Sequence, residues 1–174
     1  MAEVKGAFIL MGIETLEKVA KFKLNTVLEK LEEKSGLKRE TIKPDAWYKT
    51  EDTLCVIVES CAPITQTLMG REIYPIFKVL DPEFLAATGM TDPLSALRGL
   101  PVIYDYANKP RGAFKVLEAK PGYCKLKDSS AHAPNFMKGL HEGILKIFGA
   151  KNFTVEHTIQ ADGSRIFKDT WSVE

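Results

Sequence analysis

The side chains that could carry chemistry in this chain are three histidines and a short serine-rich loop. His132 follows Ser129 and Ser130 closely, but neighbours in sequence do not form a catalytic triad, and no nucleophile-elbow pattern accompanies them. His141 falls on a predicted helix and His157 on a predicted strand. Nothing in the sequence brings the three imidazoles together as metal ligands or as a catalytic pair. We therefore expect no enzyme activity, no catalytic residue and no metal site.

The three cysteines give no sign of a metal or redox site. Cys55 and Cys61 are six residues apart and Cys124 stands alone, so neither a CxxC motif nor a zinc-ligand pattern is present. An odd number of cysteines fits a reducing compartment, where free cysteines behave as small buried hydrophobic residues. The apolar run Gly6–Ile13 is too short to span a bilayer. The sequence predicts a cytoplasmic protein without membrane insertion.

Hydrophobic periodicity predicts an α+β fold whose best-defined unit is a helix between two hairpins. Apolar residues from Phe136 to Phe148 recur on one helical face, and Gly149 is placed to end that helix in a left-handed conformation. Residues 153–159 then alternate with a period of two, and Asp162-Gly163 indicates a reversal. A second hairpin precedes the helix, turning at Pro121-Gly122. Together the hairpins predict a four-stranded antiparallel sheet with one face against helices.

The first hundred residues are predicted to be almost entirely helical. We therefore divide a single domain, residues 1–174, into a helical lobe (1–100) and an α+β lobe (101–174). Within the helical lobe we expect breaks at Pro63, at Gly70 and at Gly99, where proline or glycine interrupts the apolar pattern. The segment 102–106 is ambiguous between helix and strand.

Charge argues against nucleic acid as a partner. The net charge is +1, from 24 basic and 23 acidic residues, so there is no global electrostatic attraction to phosphate backbones. One local basic cluster could meet an acidic partner or phosphate groups, although a solvated hairpin face is the simpler interpretation. This cluster comprises Lys109, Arg111, Lys115, Lys120, Lys125 and Lys127.

Gly139 and Gly143 lie four residues apart on the predicted C-terminal helix. Glycine costs up to about 1 kcal/mol relative to alanine inside a helix, so two of them require a packing reason. Small residues allow another backbone to come close. We expect packing against the sheet within the chain rather than dimerisation through these glycines.

The order of elements resembles the heme–nitric-oxide/oxygen-binding (H-NOX) fold. The resemblance rests on a helical first half, a hairpin, the run Phe136-Met137-Lys138-Gly139-Leu140-His141-Glu142-Gly143-Ile144, and a hairpin that closes with Thr170-Trp171. The TRAPP vesicle-tethering subunits and the 4-vinyl-reductase-type domains use the same fold. The chain is also similar to an uncharacterised bacterial family common in myxobacteria.

This resemblance raises the question of heme, and the residues argue against the usual mode of binding. The heme sensors need a proximal histidine on the helix before the first hairpin, and a Tyr-x-Ser-x-Arg motif that holds the propionates. The chain has Ser95-Ala96-Leu97-Arg98 at the first place and Leu126-Lys127-Asp128-Ser129-Ser130 at the second. We therefore expect no cofactor. If heme were bound in an unusual mode, His141 would be the axial ligand.

Three functions remain open. The first is a non-enzymatic sensory domain that binds a small apolar molecule between the lobes and signals through protein contacts. The second is a TRAPP-like interaction module without a ligand, for which a homodimer is the expected assembly. The third is a heme gas sensor with non-standard ligation. Because the related folds keep their pockets between the lobes, the candidate pocket residues are Trp47, Tyr48, Tyr74, Phe77, Tyr104 and His141.

Overall fold

The computed structural model describes residues 1–173, and residue 174 of the predicted domain lies outside the described residues. The helices are α1 (Gly6–Ala20), α2 (Leu24–Ser35), α3 (Leu54–Glu59), α4 (Pro63–Leu80), α5 (Pro82–Ala87), α6 (Pro93–Ala107) and α7 (Pro134–Ile147). The strands are β1 (Glu3–Lys5), β2 (Trp47–Lys49), β3 (Asn108–Lys109), β4 (Phe114–Lys120), β5 (Tyr123–Asp128), β6 (Lys151–Ile159) and β7 (Arg165–Ser172). The predicted α+β class is confirmed.

The four-stranded antiparallel sheet is confirmed, with the strand order β4-β5-β7-β6. Its inner face carries buried residues from every second position, such as Leu126 and Phe167, which are opposite each other on β5 and β7. The reversals at Gly122, Gly149 and Gly163 all use positive φ angles of 77° to 82°, a conformation that glycine adopts without strain. The sheet and helix α7 therefore form the unit that the sequence predicted.

A second, smaller sheet joins the two ends of the helical half, and the sequence did not predict it. Strand β1 lies between β2 and β3, so Val4 is opposite both Tyr48 and Asn108. Val4 is fully buried and belongs to the apolar core. These strands are two or three residues long, which is too short for an alternating pattern to be recognised.

Helices α4 and α6 are longer than predicted. The expected break at Gly70 is wrong, because α4 continues through both Gly70 and Pro75. The expected end at Gly99 is wrong as well, since α6 continues through Pro101 to Ala107 and resolves the ambiguous segment as helix. Interior prolines cost a helical hydrogen bond, and tertiary packing on both helices outweighs that local preference.

Helices α4 and α7 pack closely against each other through glycines. A Cβ atom added to Gly139 would lie 2.1 Å from the Thr67 carbonyl oxygen, and one added to Gly143 would lie 2.6 Å from the Arg71 carbonyl oxygen. Gly70 meets α7 in the same way, 2.1 Å from the Phe136 carbonyl oxygen. The two glycines of α7 therefore pack within the chain, as expected, but against helix α4 rather than against the sheet.

We predict that Gly139→Ala lowers the free energy of unfolding by about 1–3 kcal/mol, because the new methyl group would force two backbones apart. Gly99→Ala is the matched control. It lies in α6, and its added Cβ would meet only the flexible end of Met90, so the gain in helix propensity offsets the crowding. Urea unfolding of both variants measures the difference, and equal stability would contradict the proposed backbone contact.

Candidate functional site

An internal cavity of about 50 Å³ lies where the helical half meets α7 and the sheet. Both halves of the chain contribute to its walls, which are mainly apolar. The lining residues are Val4, Phe8, Leu54, Ile73, Tyr74, Leu100, Ile103, Tyr104, Ala107, Asn108, Phe114, His132, Phe136, Met137 and Leu140. A cavity of about 150 Å³ holds benzene, so this one fits a molecule of a few atoms.

Two of the predicted pocket residues, Tyr74 and Tyr104, lie in this wall. Burial raises the pKa of Tyr74 above its usual range. Burial raises the pKa of Tyr104 as well, and the nearby charge of Asp128 adds to that effect. Both phenols are therefore neutral at physiological pH and can act only as hydrogen-bonding groups.

Three other predicted pocket residues lie outside the lining. Phe77 packs in an aromatic cluster, with its ring centroid 5.4 Å from that of Phe8 and 5.7 Å from that of Phe84. Trp47 lies under the Lys109 ammonium group, 4.1 Å from the ring centroid. The Tyr48 hydroxyl accepts a hydrogen bond of 2.9 Å from the Lys43 amide.

The sixth, His141, is fully buried between α7 and the sheet, and it too lies outside the cavity lining. Its Nδ1 atom is 2.8 Å from Oδ2 of Asp169 on β7, and its ring packs on Phe167 with centroids 4.3 Å apart. Within residues 1–173, the Nε2 atom of His141 and Oδ1 of Asp169 have no hydrogen-bond partner. Phe114 lines the cavity, and its ring centroid is 6.2 Å from that of His141.

The sequence analysis missed the imidazole that does line the cavity. His132 lies in the loop between β5 and α7 and is only 5% exposed. Its Nε2 atom is 2.9 Å from Oδ1 of Asn108, at the junction of α6 and β3, and Asn108 also donates to the Tyr104 carbonyl oxygen at 3.1 Å. No periodic pattern covers this loop, so the sequence contains no signal that the His132 side chain faces the core.

A buried arginine holds the His132 loop in place. Arg165 on β7 donates from Nη1 to the His132 carbonyl oxygen, and from Nη2 to the Ser130 carbonyl oxygen at 2.6 Å. The same Nη2 atom lies 2.9 Å from Oδ2 of Asp128, which is fully buried. A paired, hydrogen-bonded charge is the form in which an arginine is stable inside a protein. The sheet therefore fixes the backbone that presents His132 to the cavity.

Burial lowers the pKa of His132 to about 4, and the charge of nearby Asp128 opposes that effect only in part. The imidazole is therefore neutral at physiological pH, the form in which histidine ligates metals. Within residues 1–173, no group of three or more histidine, cysteine or acidic side chains is arranged to hold a metal ion. The cysteines are free and buried, and burial raises the pKa of Cys55 and of Cys124 to about 12.

Comparison with solved structures identifies the fold. The chain is similar to the Fe(II) unliganded H-NOX protein from K. algicida, with 17% identity, a TM-score of 0.70, and coverage of 98% of this chain and 97% of that chain. It is also similar to an oxygen-binding H-NOX domain related to soluble guanylate cyclases, in its oxygen complex (16% identity, TM-score 0.67, coverage 97% and 95%). A third similar structure concerns heme redox potential and porphyrin distortion (17% identity, TM-score 0.68, coverage 97% and 95%).

No protein-family model and no curated protein matches the chain. The structural likeness extends over nearly the whole chain and establishes the H-NOX fold, as the resemblance implied. The likeness to TRAPP subunits, to 4-vinyl-reductase-type domains and to the myxobacterial family stays a prediction. Within the described residues, no helix has the length and apolar character needed to cross a membrane.

The expectation of no cofactor is contradicted by these comparisons. The similar structures include an Fe(II) H-NOX protein, an oxygen-bound H-NOX domain and one concerned with heme. The expectation relied on motif positions, namely the missing histidine near Arg98 and the missing Tyr-x-Ser-x-Arg motif. That reasoning relied on two short motifs, whereas the structural likeness extends over nearly the whole chain.

We predict that His132 accounts for part of the loss of stability in acid. Its folded pKa of about 4 lies below the unfolded value of 6.5, so the unfolded chain takes up a proton first as the pH falls. Stability is then lost between pH 6.5 and pH 4, by about 3 kcal/mol for this group. Urea unfolding across that range should show a smaller loss for His132→Gln than for the parent chain.

His157→Gln is the control, because that ring is only partly buried, although burial lowers its pKa as well. We expect its acid dependence to stay closer to that of the parent. If parent and His132→Gln lose the same free energy between pH 6.5 and pH 4, His132 is not buried in its neutral form.

Proposed function

We propose that this chain is a non-enzymatic sensory domain of the H-NOX fold. It binds a small apolar molecule in the cavity where the helical half meets α7 and the four-stranded sheet, and it signals through protein contacts. The observation that carries the proposal is the cavity itself, an apolar space walled by both halves of the chain with the His132 imidazole on one side. A ligand there contacts both halves at once, so its binding energy depends on how they sit together.

Heme is the cofactor that the similar structures favour for this chain. The donor chemistry fits in part, because His132 supplies a buried neutral imidazole on the wall, the type of ligand that holds heme iron. Bound heme would supply an iron atom that binds diatomic gases. The volume does not fit, since a porphyrin is several times larger than benzene and the cavity measures about 50 Å³. Uptake of heme therefore requires the cavity to widen.

A ligand larger than the cavity can displace the side chains that line it from α7. Met137 and Leu140 line the cavity from α7, and methionine in particular adapts to changes in the shape of a core. By contrast, the wall around His132 is held by the hydrogen bonds of Asn108 and Arg165. We therefore expect a ligand to displace α7 side chains first, while His132 keeps its position.

The small volume also favours a second candidate, an interaction module of the same fold that works without a ligand. Most of the space between the halves is filled by buried side chains of one continuous apolar core, from Ile9 in α1 to Phe167 in β7. Such a module would have a homodimer as its expected assembly. Native mass spectrometry of the purified chain separates the candidates, because it reports a retained ligand and the oligomeric state together.

We predict that hemin added to the purified chain gives a Soret band at one heme per chain, and that His132→Ala shifts or abolishes this band. The reason is that His132 is the histidine on the cavity wall, whereas His141 is engaged with Asp169. His157→Ala on β6 is the matched control and should leave the band unchanged. A Soret band insensitive to His132→Ala would remove that residue as a ligand. A chain that takes up neither hemin nor a small apolar molecule would favour the interaction module.

A further inference from the structure

The outer face of the four-stranded sheet, opposite α7, carries four lysines close together. Lys115 on β4 is directly opposite Lys127 on β5, and Lys125 on β5 is directly opposite Lys168 on β7. Residues opposite each other in an antiparallel sheet have Cβ atoms about 5 Å apart, and alternate residues of a strand share a face. These four side chains therefore form one compact group, which we call the lysine quartet.

Pairing across the sheet balances only half of the quartet. Like charges directly opposite each other in a sheet are destabilising, and the quartet contains two such pairs. Lys125 and Lys168 have Glu118 and Glu156 on their other sides, whereas Lys115 is opposite Lys127 alone. Lys127 has an ion-pair partner, Asp162, at 3.1 Å. Among residues 1–173, no acidic side chain lies within ion-pair distance of Lys115, Lys125 or Lys168. All four lysines are exposed or partly exposed, so a partner can reach the ammonium groups of Lys115, Lys125 and Lys168 and can compete with Asp162 for that of Lys127.

The charges around the quartet indicate what kind of partner fits. One row across the sheet reads Glu118, Lys125, Lys168 and Glu156, with two positive charges between two negative ones. A second row places Lys115 and Lys127 beside Ile166. A nucleic acid or an anionic membrane presents negative charge everywhere and would be repelled by the two glutamates. A protein surface can present carboxylates at its centre and basic groups around them.

We infer that the outer sheet face is a docking surface for a partner protein, and that the lysine quartet receives an acidic patch of that partner. Such electrostatic complementarity mainly accelerates association and selects the partner. The inference does not depend on the ligand or on heme, because the quartet lies on the face of the sheet turned away from the cavity.

The test uses the full chain and a fluorescent peptide with four central glutamates flanked on each side by two lysines, the charge pattern that complements Lys125 and Lys168 between Glu118 and Glu156. We expect the parent chain to bind the peptide, and raising the salt from about 0.05 M to about 0.15 M to weaken this binding, because the lysines are exposed to screening. Lys125→Glu combined with Lys168→Glu should weaken binding by about tenfold or more. The control reverses two exposed lysines of the helical half, Lys21→Glu with Lys30→Glu, and should bind the peptide like the parent.

Thermal unfolding is measured on the same proteins. Reversing one lysine of the Lys115–Lys127 pair removes repulsion, so Lys115→Glu alone should keep or raise the melting temperature while it weakens binding. If the double reversal does not fold, Lys125→Gln with Lys168→Gln replaces it. Equal loss of binding in the control would overturn the inference. So would tighter quartet-dependent binding of duplex DNA or of phosphatidylserine vesicles than of the peptide. The hemin experiment should give the same result in the quartet variants as in the parent.

Discussion

The close approach of α4 and α7 is the constraint on which the rest of the structure depends. The two helices meet backbone to backbone, with Gly139 of α7 against Thr67 and Gly70 of α4. Helix α7 also packs on the inner face of the sheet, where His141 contacts Phe167 and Asp169, so this contact helps to set the distance between the helical half and the strands. A wider separation would enlarge the cavity and expose core residues on both sides. The size of the cavity is therefore a property of helix packing.

The polar groups near the cavity divide its wall into a fixed part and an adaptable part. His132 and Asn108 are joined by a hydrogen bond, and Arg165 holds the loop backbone from the sheet. Buried polar groups of this kind specify one arrangement, because leaving any of them without a partner costs free energy. The opposite wall is made of flexible apolar side chains. The proposed sensory role requires both properties, a fixed reference and a part that can respond to a ligand.

The sequence predicted what short-range periodicity encodes, and it failed where distant contacts decide. The C-terminal hairpin, helix and hairpin followed from a clear change of period and from the turn at Gly163. The continuation of α4 through Gly70 could not be predicted, because the reason for that glycine is a helix seventy residues further along the chain. The candidate site was predicted only in part, for the same reason. Tyr74 and Tyr104, predicted from their aromatic character, line the cavity, whereas His132 lies on the cavity wall in a loop that Arg165, thirty-three residues later, holds by a hydrogen bond.

The position of β1 has a consequence for any polypeptide joined to the start of this domain. Strand β1 is the central strand of the small sheet, and its middle residue Val4 lines the cavity. A force applied to the chain at Ala2 would be separated from Val4 only by Glu3. Such a force would therefore act directly on the wall of the cavity. An affinity tag or a fused domain at this end would therefore disturb the cavity more than the same addition on an exposed loop.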